Sequence, residues 1–373
     1  MAVQIRFNNA GGMDFYNAVR SRVDGYFKDK GISQHGNWEM IFKVVFYISG
    51  LAVPYLLLVL GNFSVPVQFL LWGLVGFFSA CIGLNICHDA IHGALSGNKT
   101  LNKSLGLLFN VVGANAYLWS IMHNVVHHTY TNIEGHDEDI ESVPILRMSP
   151  HQKLRKVHRY QYLFALPMYG FGSISWVFFK DYIKFFKKKI GNYDTKNHPK
   201  IEYFNLFFFK AVYYTLFLII PLIVISAPWY VILGGFVFGH LIEGFTLAIV
   251  FMLAHVVEET HFPIPDEKGR MQNAWAIHQL YTTANFARNN RLANFICGGL
   301  NFQIEHHLFP KICHVHYRPI SEIVKKTALE YNLPYYDNPS FMGAVRSHVR
   351  FLKRLGREEA PVFLPAEQRV EAA

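Results

Sequence analysis

Residues 44–92 read VVFYISGLAVPYLLLVLGNFSVPVQFLLWGLVGFFSACIGLNICHDAIH, with no Asp, Glu, Lys or Arg from Val44 to His88. A helix needs about 20 residues to cross a bilayer, so this run is long enough for two passes. Gly61-Asn62-Phe63-Ser64, near its middle, reads as the turn between them. A second stretch, Ala211 to Ala254, carries a single charge at Glu243 and is broken by Ser226-Ala227-Pro228. Both predict helical hairpins that enter a membrane and return, over residues 41–86 and 206–254. Long core helices of a soluble protein rarely run so far without a charge.

Composition agrees. Charged residues are only 16% of the 373, well below the usual quarter of a soluble protein, and the 33 Phe and 20 Tyr suit side chains that face lipid and its interface. The first 37 residues are polar and lack the apolar core of a secretory signal. Cys81, Cys87, Cys297 and Cys313 form no CxxC pair and are expected to be reduced, buried thiols. The chain is read as one domain, 1–373. It comprises a cytoplasmic N-terminal segment (1–40), the two hairpins, and cytoplasmic or interfacial segments at 87–205 and 255–373.

Charge placement sets the topology. Lys and Arg lie before residue 44, between the hairpins and after the second one, and neither hairpin tip has any. The positive-inside rule then puts both termini and the central segment in the cytoplasm. Lys180, Lys184 and Lys187 to Lys189 make that segment basic. This suits an anionic lipid surface or an acidic protein partner, and no nucleic acid is expected as a partner. The stretches Ser104 to Met122 and Tyr160 to Phe179 are apolar but interrupted by Asn110 and Asn115, and by Pro167, Gly170 and Gly172. A single crossing by either would put the histidine clusters on opposite faces, so both are read as shallow, interfacial segments. The predicted fold is all-α and integral to the membrane, with four transmembrane helices and a cytoplasmic helical cap.

The cap holds the chemistry. His88-Asp89-Ala90-Ile91-His92 follows the first hairpin, and residues four apart share a helix face. His123-Asn124-Val125-Val126-His127-His128 repeats that spacing and adds an adjacent ring. Gln303-Ile304-Glu305-His306-His307 follows the second hairpin, and His255 stands where the last transmembrane helix leaves the membrane. Eight histidines, with Gln303 as a weaker ligand, thus share one membrane depth. Structural zinc needs only four ligands. An all-imidazole shell beside an apolar pocket fits two non-heme irons that activate dioxygen, although imidazole alone does not choose between metals. His35, His151, His158, His198 and His348 are expected to be solvated. His136, His261, His278, His314 and His316 are candidate partners of the ligands, as are Asp89, Asp137, Glu258, Glu259 and Glu305. His240 and Glu243 lie mid-membrane on one helix face and are read as a structural pair or the polar end of a tunnel.

HDAIH, HNVVHH and QIEHH resemble the three histidine boxes of the membrane fatty acid desaturases, and the resemblance covers roughly residues 40 to 350. Gln at the head of the third box resembles the front-end subgroup, which acts between an existing double bond and the carboxyl end, and the chain is most similar to the delta-6, linoleoyl-type members. The resemblance implies iron ligands at His88, His92, His123, His127, His128, His255, His306 and His307, with Gln303 in the ninth position. Related acyl-CoA enzymes carry an Asn that holds a metal-bound water one turn before the equivalent of His255; here that residue is Phe251. Many front-end members also carry a fused cytochrome b5 domain with an HPGG motif, and this chain has no HPGG.

The implied activity is desaturation of an acyl-CoA or acyl-lipid, with dioxygen as co-substrate and two electrons from ferredoxin or cytochrome b5. A di-iron membrane hydroxylase acting on acyl chains or lipids is the alternative, distinguished by a hydroxylated product. A metal transporter fits poorly, because its ligands would line a path through the membrane rather than cluster at one end.

Overall fold

The structure is a computed structural model that describes residues 5–8, 12–138, 140, 144–191 and 193–357. The expected cytoplasmic placement of the two chain ends concerns residues outside these ranges.

Helix α1 (Met13–Lys30) ends at Gly31, whose φ of 62° is the left-handed conformation that glycine adopts without strain. Asn37 then caps α2 (Trp38–Leu60), its side chain accepting from the amides of Glu39 and Met40. After the turn at Gly61–Ser64, α3 (Val65–His92) runs back toward the cap. The bent pair α4 (Lys99–Val111) and α5 (Ala116–Tyr130) follows, then the bent pair α6 (Lys156–Tyr169) and α7 (Gly172–Phe186). Next come α8 (Lys200–Val224) and α9 (Trp229–His255). The cap is completed by α10 (Trp275–Thr282), α11 (Arg291–Ile296), α12 (Gln303–Leu308), α13 (Tyr317–Glu330) and α14 (Phe341–Leu355). Strand is confined to short pairs. Lys189–Ile190 (β1) is antiparallel to Tyr193–Asp194 (β2), and Asn285–Phe286 (β3) is parallel to Asp337–Asn338 (β4).

Among the described residues four helices, α2, α3, α8 and α9, are long and apolar enough to cross a membrane; the number is up to six if each bent pair is one span. The bends are 113° between α4 and α5 and 71° between α6 and α7, so neither pair makes a straight crossing. A buried ion pair braces the bends: Lys210 on α8 donates to Asp181 on α7 (2.8 Å) and to the Gly113 carbonyl at the α4–α5 corner (2.6 Å). Only 22% of α2 and of α8 is buried against 67% of α3, which makes α3 the central helix. The outward rows Ile41, Phe42, Val45, Leu56 and Leu57 of α2, and Phe204, Phe207 and Phe208 of α8, are exposed to what surrounds the protein.

Helix α3 packs on α9 at very short range. A methyl group added at Gly76 would lie 1.9 Å from the Gly239 carbonyl oxygen, and one at Gly244 would lie 2.4 Å from that of Gly170. Glycine is required at such crossings because backbones, not side chains, make the contact. On the cap side, Phe15, Val19, Val23 and Phe27 of α1 bury their stripe against Leu280, Ile304, Tyr317, Ile320 and Val324. Helix α1 therefore closes the outer face of α12 and α13.

Candidate metal centre

Four elements converge where the membrane helices meet the cap. Helix α3 delivers His88 and His92, α5 delivers His123, His127 and His128, α9 its last residue His255, and α12 Gln303, His306 and His307. All are buried except His92, which is partly so. The first two clusters lie at π-helical turns, Gly83–Cys87 and Ile121–His127. In such a turn the amide of residue i+5 bonds back to residue i, as His128 does to the His123 carbonyl, so residues five apart come into line. His123 therefore faces both His127 (ring centroids 5.3 Å) and His128 (4.7 Å).

The donor atoms fall into overlapping groups. His88, His92, His123 and His306 form one, and His127, His255 and His307 form a second, with the donors in each group within 4.8 Å of one another. His128 groups with His306 and His307 and so joins the two. The Gln303 amide nitrogen lies 2.7 Å from His255 Nε2 and 3.4 Å from His307 Nε2, inside the second group.

This packing suits a metal. The Nε2 atoms of His128, His306 and His123 lie 2.9, 3.2 and 3.4 Å apart in pairs. One proton satisfies one such contact, and the remaining lone pairs then face each other unless a cation lies between them. Nε2 of His88, Nε2 of His92 and Oε1 of Gln303 are buried with no hydrogen-bond partner. Leaving a buried polar atom unsatisfied costs about 1–3 kcal/mol, and a coordinated cation removes that cost for several at once. Burial, followed by the neighbouring histidines, pushes His306 and His307 well below their ordinary range, which keeps them neutral and able to donate a lone pair.

Outer contacts orient the rings. His127 Nδ1–H donates to Asp137 (3.0 Å), which also accepts from the Asn132 amide (2.9 Å). His307 Nδ1–H donates to Gln279 Oε1 (2.7 Å), and Thr131 donates to that same oxygen (2.9 Å). With Nδ1 protonated in both rings, Nε2 carries the lone pair in each. Asn132 sits at φ 58° and ties three carbonyls together through its amide, those of His255, His261 and Thr282. Gln279, Thr131 and Asn132 have no motif spacing and were not singled out from the sequence.

Several expectations need correction. His158, His198 and His348 are buried, not solvated, because each imidazole answers polar groups inside the fold. His158 meets the Pro144 carbonyl, His198 meets Tyr117, and His348 meets Tyr169 and the Val256 carbonyl. Of the acids proposed to orient ligand imidazoles, Asp137 reaches His127, and Asp89 stands 3.6 Å from His88. Glu305 instead accepts from Asn285 and Tyr335, and burial pushes its carboxyl up to about 7. Glu258 pairs with Arg350 and Glu259 accepts from Ser347, both away from the ligands. Among the candidate partner histidines, His278 meets the Thr131 carbonyl, His314 pairs with Asp89, and His316 meets the His35 carbonyl.

Two small, mostly apolar clefts lie beyond the cluster. Trp119 stacks on His123 (4.2 Å) and touches Phe109 (5.5 Å). Phe109 lines a narrow cleft with Ser79, Gly83, Val112, Trp176, Glu243 and Leu247. A second cleft, lined by Trp72, Gly76, Tyr213, Phe217, Phe236 and His240, shares Ser79 and Glu243 with the first. His240 Nδ1 lies 3.5 Å from Glu243 Oε2, and Tyr213 and Ser173 hold the same imidazole. Phe251 packs its ring 5.1 Å from those of His127 and His255 and offers no hydrogen bond.

Residues 62–339 match the sequence profile of the family described as Fatty acid desaturase. The chain belongs to that family. This desaturase is 34% identical to the sn-1 linoleoyl-lipid 6-desaturase of Synechocystis sp., over 95% of this chain and 99% of that one. It is also 34% identical to the sn-1 linoleoyl-lipid 6-desaturase of Arthrospira platensis, over 91% of this chain and 92% of the relative. The acyl-lipid (8-3)-desaturase of Physcomitrium patens is 34% identical over 95% of this chain and 74% of its own. The desaturase is accordingly a multi-pass membrane oxidoreductase that acts on fatty acyl chains, and its histidine clusters are compatible with a pair of irons.

Proposed function

We propose that the desaturase is a front-end, delta-6-type enzyme acting on linoleoyl-type acyl lipids. In this reading two irons are held by His88, His92, His123, His127, His128, His255, His306 and His307, with Gln303 in the ninth position. The observation that carries the metal assignment is the convergence of those side chains within ligand-group distance, with Nε2 of His88 and His92 and Oε1 of Gln303 left without a hydrogen-bond partner. The substrate class rests on the 34% identity to two linoleoyl-lipid 6-desaturases over nearly the whole chain.

Iron bound there supplies the oxidising power that side chains lack. For each double bond the acyl chain gives up two hydrogens with their electrons, dioxygen takes these with two further electrons and two protons, and two waters leave. The two electrons come from an external donor, ferredoxin or cytochrome b5.

The protein's part is positional. A methylene has no polar handle, so geometry must select it. The clefts along α3 and α9 run from the Trp119–Phe109 layer to Glu243, about 18 Å from His255 at helical rise. They take the methyl-terminal part of the chain, and the head group stays outside. Trp119, Phe109 and Phe251 keep water from the reacting carbons. Both chain ends, the cap and the electron donor lie on the cytoplasmic side, and the two bent pairs lie shallow in that leaflet, in keeping with the Lys and Arg distribution.

The test is expression in a host that lacks delta-6 products and is fed linoleate, with new double bonds located by mass spectrometry. A new bond on the carboxyl side of the existing ones is expected. A hydroxylated product would favour the hydroxylase reading instead, and a bond placed toward the methyl end would overturn the front-end assignment.

A further inference from the structure

Lys43 is buried on α2 at 1% exposure, although it opens a helix whose other face is bare. A lysine at the end of a membrane helix ordinarily extends its ammonium toward water. This one turns inward. Its Nζ donates to His314 Nε2 at 2.6 Å and lies 5.2 Å from the centre of the Phe295 ring. Since Nε2 accepts, the His314 proton is on Nδ1, which donates to Asp89 Oδ2 at 2.8 Å. The His314 backbone amide donates to the same oxygen at 3.0 Å. The other carboxylate oxygen, Oδ1, faces His88 Nδ1 at 3.6 Å, and neither ring nitrogen of His88 has another protein partner.

We infer that Lys43 is a positioning residue for the metal ligand His88, acting through His314 and Asp89. The inference rests on the assignment of His88 as an iron ligand. Lys43, a neutral His314 and the Asp89 carboxylate form a charge-balanced chain across three parts of the fold: the start of α2, the end of α3 and the segment after α12. Lys43 holds His314, and His314 holds Asp89 Oδ2 through two N–H groups, so the orientation of the Asp89 side chain depends on Lys43. With Oδ2 held by two His314 N–H groups, Oδ1 is left facing His88 Nδ1 at 3.6 Å. An acceptor on that side of the ring favours the tautomer with its lone pair on Nε2.

Asp89, Cys313 and His314 also have the make-up of a metal site. Their hydrogen bonds argue otherwise. The second nitrogen of His314 is already occupied by the Lys43 ammonium, which takes the cation's place.

The experiment is a double-mutant cycle on Fe(II) binding. Wild type, Lys43→Met, His314→Gln and the double variant are purified metal-free in detergent. Each is titrated with Fe(II) alone, and melting temperatures are recorded with and without the ion. Each single change is expected to weaken Fe(II) binding by roughly tenfold and to shrink the rise in melting temperature on adding Fe(II). The double variant should be no weaker than either single one, because both break the same chain. Where Lys43→Met does not insert, Lys43→Gln replaces it in the cycle. Unchanged affinity in the single variants, losses that multiply in the double, or equal drops in melting temperature with and without iron would each overturn the inference. Failure of wild type to bind Fe(II) would instead defeat the metal assignment on which it rests.

Discussion

Gln279 Oε1 and His307 Nδ1 are 2.7 Å apart, and that oxygen also accepts from Thr131. Among the described residues Gln279 and, at 3.3 Å, Thr131 meet that ring nitrogen. Gln279→Leu fills a similar volume but removes the shorter of the two contacts. Iron affinity or turnover should drop by about 10- to 100-fold, with membrane insertion retained. Iron content and conversion per inserted protein are the measurements, and wild-type values for both would remove Gln279 from the site's support.

Gln303 lies among His127, His255 and His307 with Oε1 unpartnered. A neutral amide is a weaker ligand than imidazole. Gln303→Ala should lower turnover strongly, and Gln303→His should not restore it fully. Full activity and iron content in the Ala variant would show that the residue does not bear on the centre.

Membrane orientation is read from labelling. Cysteine reporters at Asn62 and Ala227 should react from outside the cell, and those at Lys188 and Arg357 only from the cytoplasm. If Lys188 and Arg357 label from opposite sides, the four-span arrangement fails.

Glu243 stands at the join of the two apolar clefts. Glu243→Ala should preserve desaturation while opening the deeper cleft to the chain's methyl end. The ratio of 20-carbon to 18-carbon conversion is expected to rise by roughly tenfold, the range for an added methylene or two in an apolar pocket. An unchanged ratio with normal activity would place the end of the chain elsewhere.

His348 is buried with its Nδ1–H on the Val256 carbonyl and its Nε2 accepting from Tyr169. Burial pushes its pKa down to about 4 from 6.5. The unfolded chain therefore binds a proton that the folded one does not between those values. Stability should fall as pH drops from about 6.5 toward 4, by up to about 3 kcal/mol from this residue. Below that the contribution levels off. In His348→Gln the melting temperature should depend less on pH across this window, and identical slopes would contradict the assignment.

The charge-poor runs and the three histidine clusters were legible because each depends on neighbours in the chain. Two nearly uncharged hairpins announce a membrane whatever they pack against, and His-x-x-x-His puts two rings on one helix face. Nothing local distinguishes Gln279, Thr131 or Asn132 from ordinary polar residues; they matter because folding brings them against His307 and behind His255. The π turn that swings His128 into line with His123 is likewise a property of backbone packing, invisible to a 3.6-residue period. Nothing local marks Lys43 either; its contacts come from the cap, which supplies His314 and Asp89. His348 and His198 read as solvated because burial is settled by what arrives from distant parts of the chain. The sequence by itself determined the membrane class and marked the histidine clusters; the tertiary structure decided which polar groups hold those histidines in place, since hydrogen bonds between remote segments carry no periodic trace.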